Sequence, residues 1–599
     1  MKSTGVRIPS IEAKDLYLAN HLVTERSEGG SGYSLIRADG TVNLSKFINT
    51  LDYSLDLIKL REVYTKVYRN SYFSFISNGY EYTNRVINVT FKYSVKEYNL
   101  LWRDVYVKYG YRLEQSELND GVLVKNNVLI AIQTNTPIQH PVDPQILGKN
   151  FKYENGMYKL ARNDTLLTTA QLRKELYVNG FLCDKVRYTR FKRSSGSSRV
   201  GKCLFIDERL YPRMHRYEMC GIKIKPGQQV DLAALEAYIA LTLSSIIDTL
   251  DIPPESILVI DDYDSVFEDT VIATRSDNNK LVTEEEEVTI KNSIWDGQSL
   301  IDKSIMGKYD CYGMVLLRTH FFKSCAFNTN IQQFFHDKGI TDIKQLKGIT
   351  LATDISQIKL ITTPNSIKYT KFGTVKKWLK SISSTFGVVK HEKKTHFFDG
   401  DMVQTHYQLL NTLQMTQQDM QEFLQPSIDY MKLLKSEPAV FRYHLHLTQV
   451  NEVSNKKYNS RDEIIFDLLG LNEKFTQTSW YRTFCNNSIN AYKQNMLYGH
   501  ILIHGNYSTL FGNPLEMLQA SIGCFSGNSS LGAGNVHCKK FAYGKRLLGS
   551  RSPHVCVGNI LLTNNVANEQ IDKYFNLTEE IVCINSIGEN ILQRLSGAD

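Results

Sequence analysis

The stretch RSPHVCVGNI (Arg551–Ile560) and, about 35 residues later, IGENILQRLSGAD (Ile587–Asp599) decide the reading of this chain. Around them lie short apolar runs closed by Gly, Asn or Ser: HILIHGNYSTL (His500–Leu510), SPHVCVGNILLTN (Ser552–Asn564) and EEIVCINS (Glu579–Ser586). Runs of this length and composition predict strands. Upstream, VQTHYQLLNTLQ and QQDMQEFLQPSIDYMKLLK place residues 403–475 mostly in helices. Further upstream, YGMVLLR, GITLATD and IKLITT return to short β-type runs between Ile294 and about Phe372. The order β-rich, helical, β-rich predicts two small β modules separated by a helical connector.

Toward the N-terminus, residues 1–150 mix the two patterns. LDYSLDLIKLREVYTKVY predicts a helix, and NRVINVTFKYSV, which alternates, predicts a strand. The prolines of PIQHPVDP (Pro137–Pro144) mark a linker. The acidic run TRSDNNKLVTEEEE (Thr274–Glu287) reads as a solvated loop at a second boundary.

With 599 residues the chain has room for about three to five domains. Its 34 Tyr and 27 Phe exclude wholesale disorder. A net charge of +8 permits a nucleic-acid partner without demanding one. The start, MKSTGVRIPSIEAKDLYLANH, lacks the apolar run of a signal peptide. Val230–Ile252 is the most lipid-like stretch, but it carries Asp231, Glu236 and Asp248, and its apolar residues recur at helical spacing. It reads as an amphipathic core helix, and no membrane span is expected. The ten Cys are scattered with no CxxC pair, which fits reduced thiols in a cytoplasmic protein.

Three local signals weaken on inspection. GSSRVGKC (Gly196–Cys203) approaches a phosphate-binding loop, with Lys202 for the phosphates and Asp261 of ILVIDD as acidic partner. Cys203 stands where Mg²⁺ needs a hydroxyl, however, and CLFIDERLY after it resembles a strand, not the helix the loop must open. The bland reading is a basic Ser/Gly loop, RFKRSSGSSR, lying against a nucleic-acid backbone. HLHL (His444–Leu447) reads as two imidazoles on one face of a strand, with His537 and Cys538 as further ligand candidates. Without paired Cys at metal spacing these read as surface or core residues. Asp399 and Asp401 of FFDGDM flank a glycine, and the plain reading is a solvated turn before a helix.

Four segments in order resemble the two-barrel RNA polymerases, the family of eukaryotic-type RNA-dependent RNA polymerases and their single-chain phage relatives. WDGQSLIDKS supplies the family's Asp-Gly turn as Asp296-Gly297, and in YGMVLLRTHFFKSCAF Lys323 follows Arg318 by five residues. TPNSIKY is similar to P-S-M-x-K-F, with Pro364 and Lys368 on matching positions. HYQLLNTLQMTQQDMQEFL resembles the connector helix, and RSPHVCVGNI resembles R-x-P-x-x-x-x-G-D-I with Asn559 in place of Asp. Finally, SGAD (Ser596–Asp599) matches the opening of the D-x-D-G-D motif up to its first Asp.

The resemblance covers residues 291–599 and implies a mixed α/β, multidomain chain. Within it would lie a first double-psi β-barrel (291–380), a helical connector (381–496) and an incomplete second barrel (497–599); residues 1–290 match no family pattern and are expected to be an N-terminal α+β region (1–136) and an α+β channel-flanking region (137–290). It implies template-dependent RNA synthesis from ribonucleoside triphosphates on a DNA or RNA template. Lys323 and Lys368 would neutralise phosphates, Arg318 and Arg551 would contact substrate, and Asp599 would be the first carboxylate for Mg²⁺. A polyanionic triphosphate requires fixed cations that stabilise charge developing on its leaving group. A lone terminal Asp599 supplies no rigid octahedral site. The resemblance therefore implies a fragment inactive alone, completed by more of the chain or by a second chain. Two alternatives remain: an NTPase centred on Lys202 and Asp261, and a non-catalytic nucleic-acid-binding protein.

Overall fold

MVLLRT (Met314–Thr319) and FKSCAFNT (Phe322–Thr329) pair antiparallel, with Arg318 opposite Lys323 and Thr319 opposite Phe322. Only His320 and Phe321 join them, and Phe321 has a φ of 55°, the left-handed conformation that tight hairpin turns favour. Both strands are buried at most positions, as strands covered on two faces are.

The computed structural model describes residues 5–13, 15–16, 34–37, 41–69, 72–91, 112–115, 121–125, 128–132, 151–154, 157–160, 169–395, 397–449, 461–554 and 556–595. Two units divide them: residues 5–219 with 223–243, and residues 220–222 with 244 onward. The linker expected at Pro137–Pro144 lies outside the described residues.

In the second unit the hairpin is central to an eight-stranded sheet. The strand order is Asp248–Asp251, Thr385–His391, Met314–Thr319, Phe322–Thr329, Gln298–Asp302, Leu360–Thr362, Ile257–Val259 and Ile349–Thr350. It is mixed: Gln298–Asp302 runs parallel to Phe322–Thr329, and Ile257–Val259 runs parallel to Leu360–Thr362. A second mixed sheet of five strands follows in the order Thr509–Gly512, Ile581–Ile584, Asn535–Cys538, Ile560–Asn565 and Arg546–Ser550. The two sheets share one hydrophobic core, in which Leu258, Phe327 and Phe334 meet Phe511, Leu515 and Ile581. Phe327 stacks on Phe511 with ring centroids 3.4 Å apart. Beside this contact Gln298 accepts from the Gly512 N–H at 3.1 Å and donates to its carbonyl at 3.4 Å. A Cβ at Gly512 would lie 2.5 Å from the Ile294 carbonyl, so only glycine permits the approach. This mixed α/β architecture with two curled sheets is compatible with the barrels expected, and its eight-stranded sheet takes strands from Asp248–Asp251 through Thr385–His391.

Four helices, Gln417–Ser436, Pro438–Gln449, Arg461–Leu471 and Ser479–Leu497, follow in the stretch that reads as helical from sequence. They close on Tyr430, Leu434, Phe441, Leu445, Ile465 and Phe484. Thr416 begins the first with a reciprocal side-chain cap to Asp419.

The first unit is built on a five-stranded sheet in the order Phe181–Cys183, Val186–Lys192, Lys202–Asp207, Val86–Thr90 and Ser10–Glu12. The helix Leu55–Tyr68, capped by Ser54, lays Leu57, Leu60 and Val63 against Val86 and Ile206.

Three expectations are corrected. Val230–Ile252 is not one helix: the helix ends at Ile239, and Asp248–Asp251 pairs with Thr385–Val388 as a strand. Ser244, Ser245 and the β-branched Ile246, Ile247 and Thr249 stop the helical run. The acidic run is no loop. Asp264–Asp277 and Lys280–Ser293 form a long antiparallel ribbon closed by Asn278 and Asn279, both at positive φ. HLHL lies in the helix Pro438–Gln449 and not in a strand, because Phe441 and Leu445 recur at helical spacing and both are buried. No helix among the described residues is long and apolar enough to cross a membrane.

Candidate active site

The register of the central hairpin makes Arg318 and Lys323 direct cross-strand partners. Their five-residue spacing follows from a two-residue turn. The tip is held by an aromatic frame, in which Phe322 stacks on Trp378 at 5.6 Å and Trp378 Nε1 donates to the His320 carbonyl at 2.8 Å. Phe321 meets Tyr369 edge-on, and its carbonyl accepts the backbone N–H of Lys368 at 2.7 Å. A β-bridge from Phe322 to Ile367 completes the joint. Lys368 is thereby fixed beside Lys323, and its ammonium donates to the carbonyl of Asn365.

The structure thus brings Arg318, Lys323 and Lys368 together, as expected from sequence. Lys323 is exposed, and the other two are half-buried. Burial lowers the Arg318 pKa, although a guanidinium stays charged. The Lys323 pKa is lowered by burial and then by the Arg318 and Lys368 charges, against the opposing pull of Asp296. An anion brought among like charges crowded in this way would relieve their repulsion.

Asp262 stands behind the Lys368 turn. Its Oδ2 accepts the backbone N–H of Asn365 at 3.2 Å. Burial raises its pKa, hydrogen bonds from the Thr363 side chain and then from the Asn365 N–H oppose that, and the nearby Asp296 and Asp264 charges add to it. The Asn365 amide also donates to Ser293 Oγ at 2.9 Å, tying the turn to the ribbon base.

Arg551 and Asn559, singled out in the sequence, are tied to the segment Ile591–Leu595. Arg551 is exposed, and its Nη1 donates to the Leu595 carbonyl at 3.2 Å. Asn559 donates to the Arg594 carbonyl at 3.0 Å and accepts from Cys556 N–H at 3.1 Å. A carboxylate at position 559 could not donate the first of these bonds. Arg594 returns two bonds, to the carbonyls of Gly558 and Ile560. Asp599 itself lies outside the described residues. Among the described residues no three His, Cys, Asp or Glu side chains come together as a metal site.

A group that sequence reasoning missed lies beside Arg551. Ser552 Oγ is 3.0 Å from His406 Nδ1, and His554 has its pKa lowered by burial and by His406. Each residue stands in a segment quoted above, but no local pattern links positions 146 residues apart.

The other signals are absorbed into the fold. Lys202 begins a strand, and the short helix Ser195–Arg199 precedes Gly201 where a phosphate loop needs one to follow. Lys202 and Asp261 belong to different units. The basic loop is mostly neutralised from within. Arg190 and Arg193 pair with Glu236, and the buried Lys192 lies 2.6 Å from Asp56 and 3.3 Å from Glu218. Asp399 sits at a φ of 54° in a turn as expected, but the strand Met402–Gln404 follows it where a helix was expected, and the helix begins only at Tyr407.

No family model and no curated protein matches the chain. Among solved structures it is similar to the RNA-dependent RNA polymerase QDE-1 from Thielavia terrestris, at 12% identity and a TM-score of 0.44. The likeness covers 69% of this chain and 43% of that one.

Proposed function

We propose that this chain is part of a template-dependent RNA polymerase, and that Arg318, Lys323 and Lys368 bind the triphosphate of the incoming ribonucleotide. The observation that carries the reading is the convergence of three cations from two segments on one hairpin tip, locked by the Phe321–Lys368 backbone bond. In nucleotidyl transfer charge accumulates on the leaving pyrophosphate, and fixed cations lower the barrier without reorganising. Arg551, held against Leu595, would contact the nucleotide from the second sheet. Asp599 would offer a carboxylate to Mg²⁺, which supplies Lewis-acid activation when bound. The proposed partners are a nucleic-acid template and ribonucleoside triphosphates.

Calorimetric titration of the full chain with ATP and with inorganic triphosphate tests the reading. Lys323→Ala and Lys368→Ala should each weaken binding of both ligands roughly tenfold. Equal affinities in wild type and variants would remove the cations from the site. Salt-dependent RNA binding with no affinity for triphosphate would favour a binding protein without catalysis.

A further inference from the structure

ILVIDD is the one sequence motif that the phosphate-loop reading left without a role. Ile257–Val259 lies parallel to Leu360–Thr362, with Val259 beside Thr362. The pairing continues as Ile260 N–H donates to the Thr362 carbonyl at 2.9 Å. Three residues beyond the C-terminal end of each of these parallel strands stand Asp262 and Asn365, joined at 3.2 Å by the Asn365 N–H and Asp262 Oδ2. Asn365 is also the residue whose carbonyl receives the Lys368 ammonium.

We propose that Asp262 is a positioning residue for the phosphate site, setting the Pro364–Ser366 turn from which Lys368 is held. The inference rests on the triphosphate reading of that site and adds to it a residue outside the cation cluster. Asp262 grips the peptide N–H of Asn365, and the carbonyl of the same residue holds Lys368. Rotation or drift of that residue therefore moves the ammonium. The Asn365 side chain on Ser293 leaves the turn a second anchor, so loss of Asp262 loosens the turn without unfolding it.

Charge and position predict opposite signs here. A carboxylate beside a polyanion site repels the ligand, so if Asp262 acted only through its charge, Asp262→Ala and Asp262→Asn would both tighten binding. As a positioning residue, Asp262→Asn keeps an acceptor for the Asn365 N–H and retains wild-type affinity or better. Asp262→Ala loses roughly tenfold.

The test uses the full chain with inorganic triphosphate as probe, and thermal midpoints confirm folding. Asp262→Ala should weaken binding, Asp262→Asn should not, and Asp262→Ala should have no further effect once Lys368→Ala is present. In parallel, acylation of individual lysines is followed by mass spectrometry without ligand. Asp262→Ala should raise the labelling rate of Lys368 at least twofold and leave that of Lys323 unchanged. Additive losses in the double variant, tighter binding by Asp262→Ala, or an unchanged Lys368 labelling rate would each overturn the proposal. If Lys368 labelling rises but wild type binds no triphosphate, the positioning stands and the triphosphate reading falls.

Discussion

Lys323 is the residue on which site and stability pull apart. Burial and the neighbouring Arg318 and Lys368 charges hold its pKa below the usual 10.5. The unfolded chain therefore binds this proton more tightly than the folded one. At neutral pH the charged lysine costs stability, and the cost fades as pH rises through the lowered folded pKa toward 10.5. Lys323→Met should raise the thermal midpoint at pH 7 by about 1–2 °C once solvent screening is allowed for. The same variant should lose triphosphate affinity. A lower midpoint would mean that the cations are not in conflict in the free protein. The five-residue spacing of Arg318 and Lys323 was legible in sequence because a hairpin turn keeps it local, while Lys368 was named only through the resemblance and joins them by the Phe321–Lys368 backbone bond. The role of Asp262 was not legible, since its partner lies 103 residues away and only the sheet register joins them.

At the scale of elements, the helix Pro514–Ser521 carries a buried carboxyl at its start. Asn513 caps it through a bond from Leu515 N–H. Glu516, 1% exposed, has its pKa pushed up to about 8 by burial, against hydrogen bonds from Ser529 and Asn513. For an acid whose folded pKa is raised, the folded state holds the proton more tightly. Stability is then highest below about 4.5 and declines as pH climbs to about 8. Glu516→Gln copies the protonated form. It should match wild type at pH 5 and exceed it at pH 9 by roughly 2–4 kcal/mol in denaturant unfolding. Parallel curves at both pH values would show that the carboxyl is not protonated in the fold. Elements with their own periodicity, such as Leu55–Tyr68 and Gln417–Ser436, were legible in sequence. The ribbon was misread because Glu284–Glu287 suppress the strand signal. There Glu286 pairs across to Arg275, and Glu285 lies opposite Ile272. Val230–Ile252 was misread because the chain leaves one unit for the other within it, at Leu243–Ser244.

At the scale of the second unit, the two halves of the candidate site are joined through the base of the ribbon. Asn292, 1% exposed, donates to the carbonyls of Ser586 and Glu589, both at 2.9 Å, and accepts from Gln593 at 2.7 Å. Its neighbour Ser293 receives the Asn365 amide, and Ser265 on the opposite strand accepts Gly588 N–H at 2.9 Å. The Lys368 turn and the segment that ends at Leu595 therefore share one polar clasp. The β–helix–β order was legible because each module has its own composition. This clasp was not, because it consists of single buried amides scattered through polar sequence. Asn292→Ala should leave two carbonyls and the Gln593 amide unpaired, costing about 2–4 kcal/mol. Hydrogen exchange should then quicken in residues 586–595 and in 551–560, which are bonded to them through Asn559 and Arg594, while the five-stranded sheet of the first unit keeps its protection. Faster exchange confined to the ribbon would mean that the two halves of the site are organised independently. A single amide would then not be what couples the phosphate cations to Arg551.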